Sequence, residues 1–143
     1  DGKEKRNLKH IAGKNVKFSG KIERVKVLNE MRNSDIFILP SVDETFGMVY
    51  IEAMASGCVT VGTQNDGIDG IIKDGQNGFL CKPTIENIKE ILLKIKEENE
   101  KGVKQASFFG APTLRRIVEN AEDTVKNYTL EKCAQNYIKN IFN

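Results

Sequence analysis

The stretch "PSVDETFGMVYIEAMASG", Pro40 to Gly57, places a carboxylate, Glu52, inside the otherwise apolar run Met48-Val49-Tyr50-Ile51-Glu52-Ala53-Met54-Ala55. A charged residue in a segment that reads as buried needs a partner or a task. Asp43 and Glu44 stand just ahead of the run, and Gly47 opens it. The spacing predicts a helix that starts near Phe46 or Gly47 and ends at Ser56-Gly57, with glycine suited to the C-cap. Upstream, Asp35-Ile36-Phe37-Ile38-Leu39 is a nearly continuous apolar strand stopped by Pro40-Ser41. A run apolar on both faces suits a parallel strand covered by helices on both sides. Val59-Thr60-Val61 is the next strand.

The same alternation extends along the chain. Asn15 to Phe18 reads as a strand closed by Ser19-Gly20, and Val25, Leu28 and Met31 mark a helix from Val25 to Arg32. After Val61 come a Gly-rich loop, a short helical turn, a tight Asp74-Gly75 turn and a short strand at Phe79-Leu80-Cys81. Pro83-Thr84 opens a long helix from Ile85 to about Glu98, with Ile88, Ile91, Leu92 and Ile95 on one face. Residues 97–105 read as its charged end and a linker, followed by helices at Thr113–Asn127 and Leu130–Ile141. Strands alternating with helices predict an α/β fold: a Rossmann-like parallel sheet with helices on both faces. The chain opens on Asp1-Gly2-Lys3, a turn leading into a helix. The first strands expected of such a domain are not among these residues.

Composition narrows the function classes. A chain of 143 residues fits one domain with a real core. Its net charge of +2, from 22 basic and 20 acidic residues, gives no footprint for nucleic acid. Cys58, Cys81 and Cys133 form no CxxC pair, and His10 is the only histidine, so no metal site is expected. The cysteines read as buried free thiols of a reducing compartment, and the expected location is cytoplasmic. A peripheral contact with the membrane inner face would have only the Arg115–Arg116 pair behind it, ahead of an amphipathic helix.

In parallel α/β sheets, ligands sit at the carboxyl ends of strands against helix N-termini. That rule selects three loops: 19–21, 41–48 and 62–69. A helix N-terminus offers unpaired N–H groups and partial positive charge, which together bind anions and above all phosphate. Glu44 lies just before that end, and Glu52 lies one turn beyond Met48, about 6 Å along the axis on the same face. Carboxylates are poor partners for phosphate but good acceptors for hydroxyls. The pattern therefore suits a phosphate flanked by hydroxyl-bearing rings, the layout of a sugar nucleotide. Taken singly, each carboxylate has a plainer explanation. Glu44 would complement the helix dipole, and Glu52 would pair with a lysine or arginine from another element. Asp66 and Asp69 are explained by turn chemistry, with a contact to the donor as the lesser alternative.

The combination Pro-Ser-x-x-Glu, Phe-Gly, Glu-Ala-Met-Ala-x-Gly resembles the E-x7-E signature of retaining glycosyltransferases of family four, which have the GT-B fold. The resemblance extends to "NVKFSGK", "DIFILPS", "CVTVGT", "GIIKDGQNGFLCKP" and "NYTLEKCAQNYIKNIF". It implies that the chain is a partial C-terminal, nucleotide-sugar-binding domain spanning 1–143. It implies that Glu44, the catalytic candidate, contacts donor-sugar hydroxyls. Thr45, Phe46, Gly47, Met48 and Val49 would border the sugar and diphosphate. Glu52 would accept from the ribose hydroxyls, and Gly20, Lys21 and Ile22 would border the nucleobase. No metal or other cofactor is implied, the donor being a nucleotide-sugar substrate such as a UDP- or GDP-hexose. The hydroxyl acceptor would bind through an N-terminal domain outside these residues, in surface polysaccharide or glycolipid synthesis.

This sequence departs from the family pattern at Thr45 and Val59, where glycine and proline are usual, and at Asp66–Gly70, where a Gly-Gly-x-x-Glu loop loses its glutamate. The family's phosphate-gripping arginine and lysine have no counterpart here, and His10 does not match its donor-side histidine. The fragment alone is expected to be inactive. The alternatives are a non-catalytic sugar-nucleotide-binding module that needs a partner chain, and a phosphorylase or epimerase on the same fold.

Overall fold

The computed structural model describes residues 2–101 and 111–142. Helix α1 (Lys5–Ile11) leads through a turn and an irregular segment to α2 (Arg24–Arg32), and strand β1 (Ile36–Ile38) follows. Next come α3 (Met48–Ala55), β2 (Val59–Thr63) and β3 (Phe79–Cys81). The chain closes with α4 (Ile85–Lys101), α5 (Pro112–Val125) and α6 (Leu130–Phe142). The strands form one parallel sheet in the order β1-β2-β3, with Phe37 opposite Thr60 and Gly62 opposite Leu80.

Alternation along the strands assigns the two faces. Val59, Val61, Phe79 and Cys81 pack on one side against Ile91 and Ile95 of α4 and Leu114 and Ile117 of α5. On the other side Phe37 and Leu80 meet Tyr50, Ile51 and Met54 of α3, joined by Ile68 and Ile72 from the loop after β2. Met31 of α2 packs beneath α3 against Ala53 and Cys58. Helices thus cover both faces, as the strand-helix alternation predicts. Each fully buried isoleucine or leucine here contributes roughly 1.5–3 kcal/mol of transfer free energy. Pro112 stands at the first position of α5, where its missing N–H costs nothing.

Several expectations are corrected. Val16 and Phe18 do not form a strand: they are 54% and 37% exposed, and no described strand pairs with them. A segment without a ladder neighbour leaves its backbone to water. Strand β1 is half-exposed along its length because it is the edge of the described sheet. In α2 the packed residues are Val27, Leu28 and Met31, while Val25 is 69% exposed. Arg115 and Arg116 lie inside α5 on its exposed face, and Arg115 pairs with Glu119 one turn on, at 3.2 Å. Cys58 and Cys81 are buried free thiols, pushed up in pKa mainly by that burial, but Cys133 is exposed. Of the linker expected at residues 97–105, residues 102–105 lie outside the described residues. Its first part belongs to α4, which runs on to Lys101. No helix among the described residues is long and apolar enough to cross a membrane.

Candidate donor site at the head of α3

The site is built where two loops leave the carboxyl ends of β1 and β2. Thr63 Oγ1 donates to the Ser41 carbonyl at 2.6 Å, tying the second loop to the first. Four residues further on, Gly67 N–H donates to the Glu44 carbonyl at 3.1 Å. A Cβ on Gly67 would stand 2.4 Å from that oxygen and 2.6 Å from the Thr45 carbonyl carbon, so only glycine lets the loops close this far. The Gly-rich loop therefore fixes the backbone of Glu44 and Thr45. Asp66 and Asp69 perform the turn chemistry expected of them. Asp66 Oδ1 accepts from Gly67 N–H at 2.9 Å, and Asp69 Oδ2 accepts from Asn65 N–H at 2.6 Å. The second oxygen of Asp66 is buried and has no hydrogen-bond partner.

Helix α3 begins at Gly47, which has φ +71 and ψ +51, the left-handed region. The apolar face of α3 buries Tyr50, Ile51, Ala53 and Met54, and that packing aims the helix start. The N–H groups of Phe46, Gly47, Met48 and Val49 have no protein acceptor among the described residues. They form an open set of donors at the positive end of the helix. Glu44 is half-buried beside them and pairs with no cation among the described residues. Thr45 is exposed. Phe46 is 39% exposed, with its ring 6.0 Å from that of Tyr128. Met48 is exposed and Val49 half-buried.

Tyr50 holds this start in place. It is fully buried, its hydroxyl donates to the Leu39 carbonyl at 2.6 Å, and its ring meets Phe37 edge-on at 5.8 Å. Burial, then the negative charges of Glu44 and Asp66, push its pKa up to about 12. The folded state thus keeps the proton where the unfolded chain, at about 10, has lost it. The sign follows: the stabilisation is complete below pH 10 and is lost as pH rises towards about 12. Tyr50→Phe is expected to remove the tyrosine's part of this alkaline fall, leaving the part due to the buried thiols of Cys58 and Cys81. At neutral pH it would cost about 1–3 kcal/mol, by leaving the Leu39 carbonyl unpaired. Urea unfolding at pH values from 8 to about 12 checks both effects.

Glu52 does have a partner. Arg24, the first residue of α2, donates to Glu52 Oε1 from both Nε, at 3.0 Å, and Nη2, at 2.5 Å. Gly20 takes a left-handed φ of +67, Lys21 is exposed, and Ile22 is half-buried at a cavity of about 240 Å³ between the loop, α2 and β1. Gly20–Ile22 are linked to Glu52 through Arg24, two residues beyond Ile22. The loops carrying Glu44 and residues 66–70 are in direct contact. His10 is exposed in the last turn of α1. Arg24, Gly67 and Tyr50 were not singled out by sequence reasoning. A signal existed for Tyr50 alone: a tyrosine in a buried run needs an acceptor for its hydroxyl.

A parallel sheet with helices on both faces, with a glycine-opened helix after the first strand, defines a Rossmann-like class of domain. Residues 1–123 match the family of glycosyl transferases, group 1, and the chain belongs to it. It is 34% identical over 131 residues to a probable sucrose-phosphate synthase of Thermosipho melanesiensis, covering 91% of this chain and 27% of that protein. It is 27% identical to the alpha-monoglucosyldiacylglycerol synthase of Acholeplasma laidlawii, covering 87% of this chain and 28% of the other. Among solved structures, Anabaena HepE in complex with UDP and glucose superposes with a TM-score of 0.74 at 21% identity, covering 95% of this chain and 34% of that one. The C-terminal domain of a group 1 glycosyl transferase from Francisella tularensis superposes with a TM-score of 0.65 at 26% identity, covering 87% and 60%. The architecture is that of the C-terminal, Rossmann-like half of GT-B glycosyltransferases. The chain spans about a third or less of the length of the curated relatives it matches.

Proposed function

We propose that residues 1–143 are the donor-binding part of a retaining glycosyltransferase of family four, acting through the pair Glu44 and Glu52. One observation carries this reading: an open row of N–H donors from Phe46 to Val49 lies between two carboxylates eight residues apart. The amides meet the diphosphate, Glu44 accepts from donor-sugar hydroxyls, and Glu52 accepts from the ribose. Gly20, Lys21 and Ile22 border the base.

In the transfer, the bond between the anomeric carbon and the diphosphate oxygen breaks, and the electron pair leaves with the nucleoside diphosphate. The acceptor hydroxyl oxygen takes its place with retained configuration, and its proton is released. The N–H groups at α3 stabilise the leaving charge, and positioning supplies much of the rest. No metal is needed in this scheme, because the helix amides carry that charge. The acceptor is held by a part of the protein beyond these residues, in surface polysaccharide or glycolipid synthesis on the cytoplasmic side.

The test is calorimetric titration of the folded chain, without metal, against UDP, GDP and ADP and their glucose and mannose forms. Binding selective for one base is expected, weakened about tenfold or more in Glu52→Ala by loss of a charge-assisted acceptor. A folded chain that binds none of the six, or a Glu52→Ala variant that binds as wild type, would overturn the assignment.

A further inference from the structure

Glu52 poses a physical difficulty that its role as a ribose acceptor leaves open. An ionised carboxylate held one turn from a diphosphate site repels the ligand it is meant to bind. Arg24 resolves this. Resting on the nucleotide-sugar reading, we infer that Arg24 is a positioning residue of the donor site: it neutralises Glu52, fixes its rotamer and leaves one carboxylate oxygen for the ribose.

The geometry is asymmetric in the way this role requires. Both guanidinium donors, Nε and Nη2, fall on the same oxygen, Oε1, at 3.0 and 2.5 Å. Oε2 has no protein partner among the described residues. A side-on pair that existed only to hold α2 against α3 would engage both oxygens, the arrangement that maximises contact between a fork of donors and a carboxylate. Exposure is asymmetric too. The Glu52 side chain is 20% exposed, whereas that of Arg24 is 74% exposed. An arginine so open to water contributes little to folding stability through its ion pair. It does restrict the carboxylate, because Glu52 rises from a helix whose opposite face is packed by Tyr50, Ile51, Ala53 and Met54. The neutral pair removes the charge conflict with the diphosphate while Oε2 stays a full acceptor. Arg24 also follows Ile22 by two residues, so the loop assigned to the base and the carboxylate assigned to the ribose are joined through one side chain.

The experiment compares UDP with 2′-deoxy-UDP, and GDP with 2′-deoxy-GDP, by calorimetry. The proteins are wild type, Arg24→Ala, Arg24→Gln, Glu52→Ala and the double variant Arg24→Ala/Glu52→Ala, each verified as folded by circular dichroism and thermal unfolding. Arg24→Ala is expected to weaken binding of the ribonucleotide about tenfold and to bring the ribo-to-deoxyribo affinity ratio close to one. Arg24→Gln, which keeps a donor without the charge, should fall between. The double variant should bind no worse than Glu52→Ala alone, since the two residues act as a unit. A merely structural role would move the unfolding temperature and leave the ratio unchanged. An unchanged ratio in Arg24→Ala would overturn the inference, as would tighter ribonucleotide binding, which would mean that Arg24 competes with the ribose for Glu52. If wild type discriminates ribose and Glu52→Ala loses that discrimination while Arg24→Ala does not, only this inference falls. If wild type binds no nucleotide, the underlying reading falls with it.

Discussion

Gly47→Ala is expected to destabilise the protein by about 2–5 kcal/mol, as read from the shift in urea midpoint, and to abolish nucleotide binding at the head of α3. Two effects add. Gly47 has φ +71, and an alanine held in the left-handed region costs about 1–2 kcal/mol. The new methyl would also lie 2.4 Å from Tyr50 Cδ2 and 2.7 Å from Cε2. Contacts that short require movement, and overpacking of this kind costs about 1–3 kcal/mol. A flexible side chain would swing away, but Tyr50 is fully buried, and its hydroxyl is tied to the Leu39 carbonyl. The backbone at Gly47 must give instead, and it carries the open N–H groups with it. A variant with wild-type stability would show that the start of α3 is not held as described.

Glu44→Ala is expected to reduce kcat/KM of the complete enzyme by about 10- to 100-fold, the loss that follows from removing a charged hydrogen-bond acceptor worth about 1.5–3 kcal/mol. Its effect should fall on the sugar and not on the nucleotide. Affinity for the free nucleoside diphosphate should stay within about twofold of wild type, while the advantage of the nucleotide-sugar over it disappears. Folding should be little affected, because the Glu44 side chain has no hydrogen-bond or ion-pair partner to lose among the described residues and its carbonyl, which holds Gly67 N–H, remains. Steady-state kinetics and paired titrations with UDP and UDP-glucose, or their guanosine counterparts, separate the two quantities. Equal losses for nucleotide and nucleotide-sugar would place Glu44 at the phosphates and not at the sugar.

Local pattern by itself determined much of this protein. The apolar run before Pro40, the helix bounded by Gly47 and Gly57, the strand at Val59 and the Asp74-Gly75 turn all follow from nearest-neighbour chemistry, and they stand where the pattern puts them. The eight-residue spacing of Glu44 and Glu52 is likewise visible in the chain alone. What depends on contact between distant segments was not legible. Residues 15–18 have the composition of a strand, yet strand formation needs a neighbour, and none of the described strands offers one. Val25 has helical spacing with Leu28 and Met31, but the face α2 buries is set by how it crosses α3, which leaves Val25 in water. Gly67 reads as an ordinary turn glycine until the loop after β2 is seen to close on the backbone of Glu44 and Thr45. The partner of Glu52 lies 28 residues away, at the start of α2. Periodicity and spacing record what each segment prefers by itself. Only the tertiary packing decides which loop meets which, and at this site it is the packing that sets a charge beside Glu52 and, among the described residues, none beside Glu44.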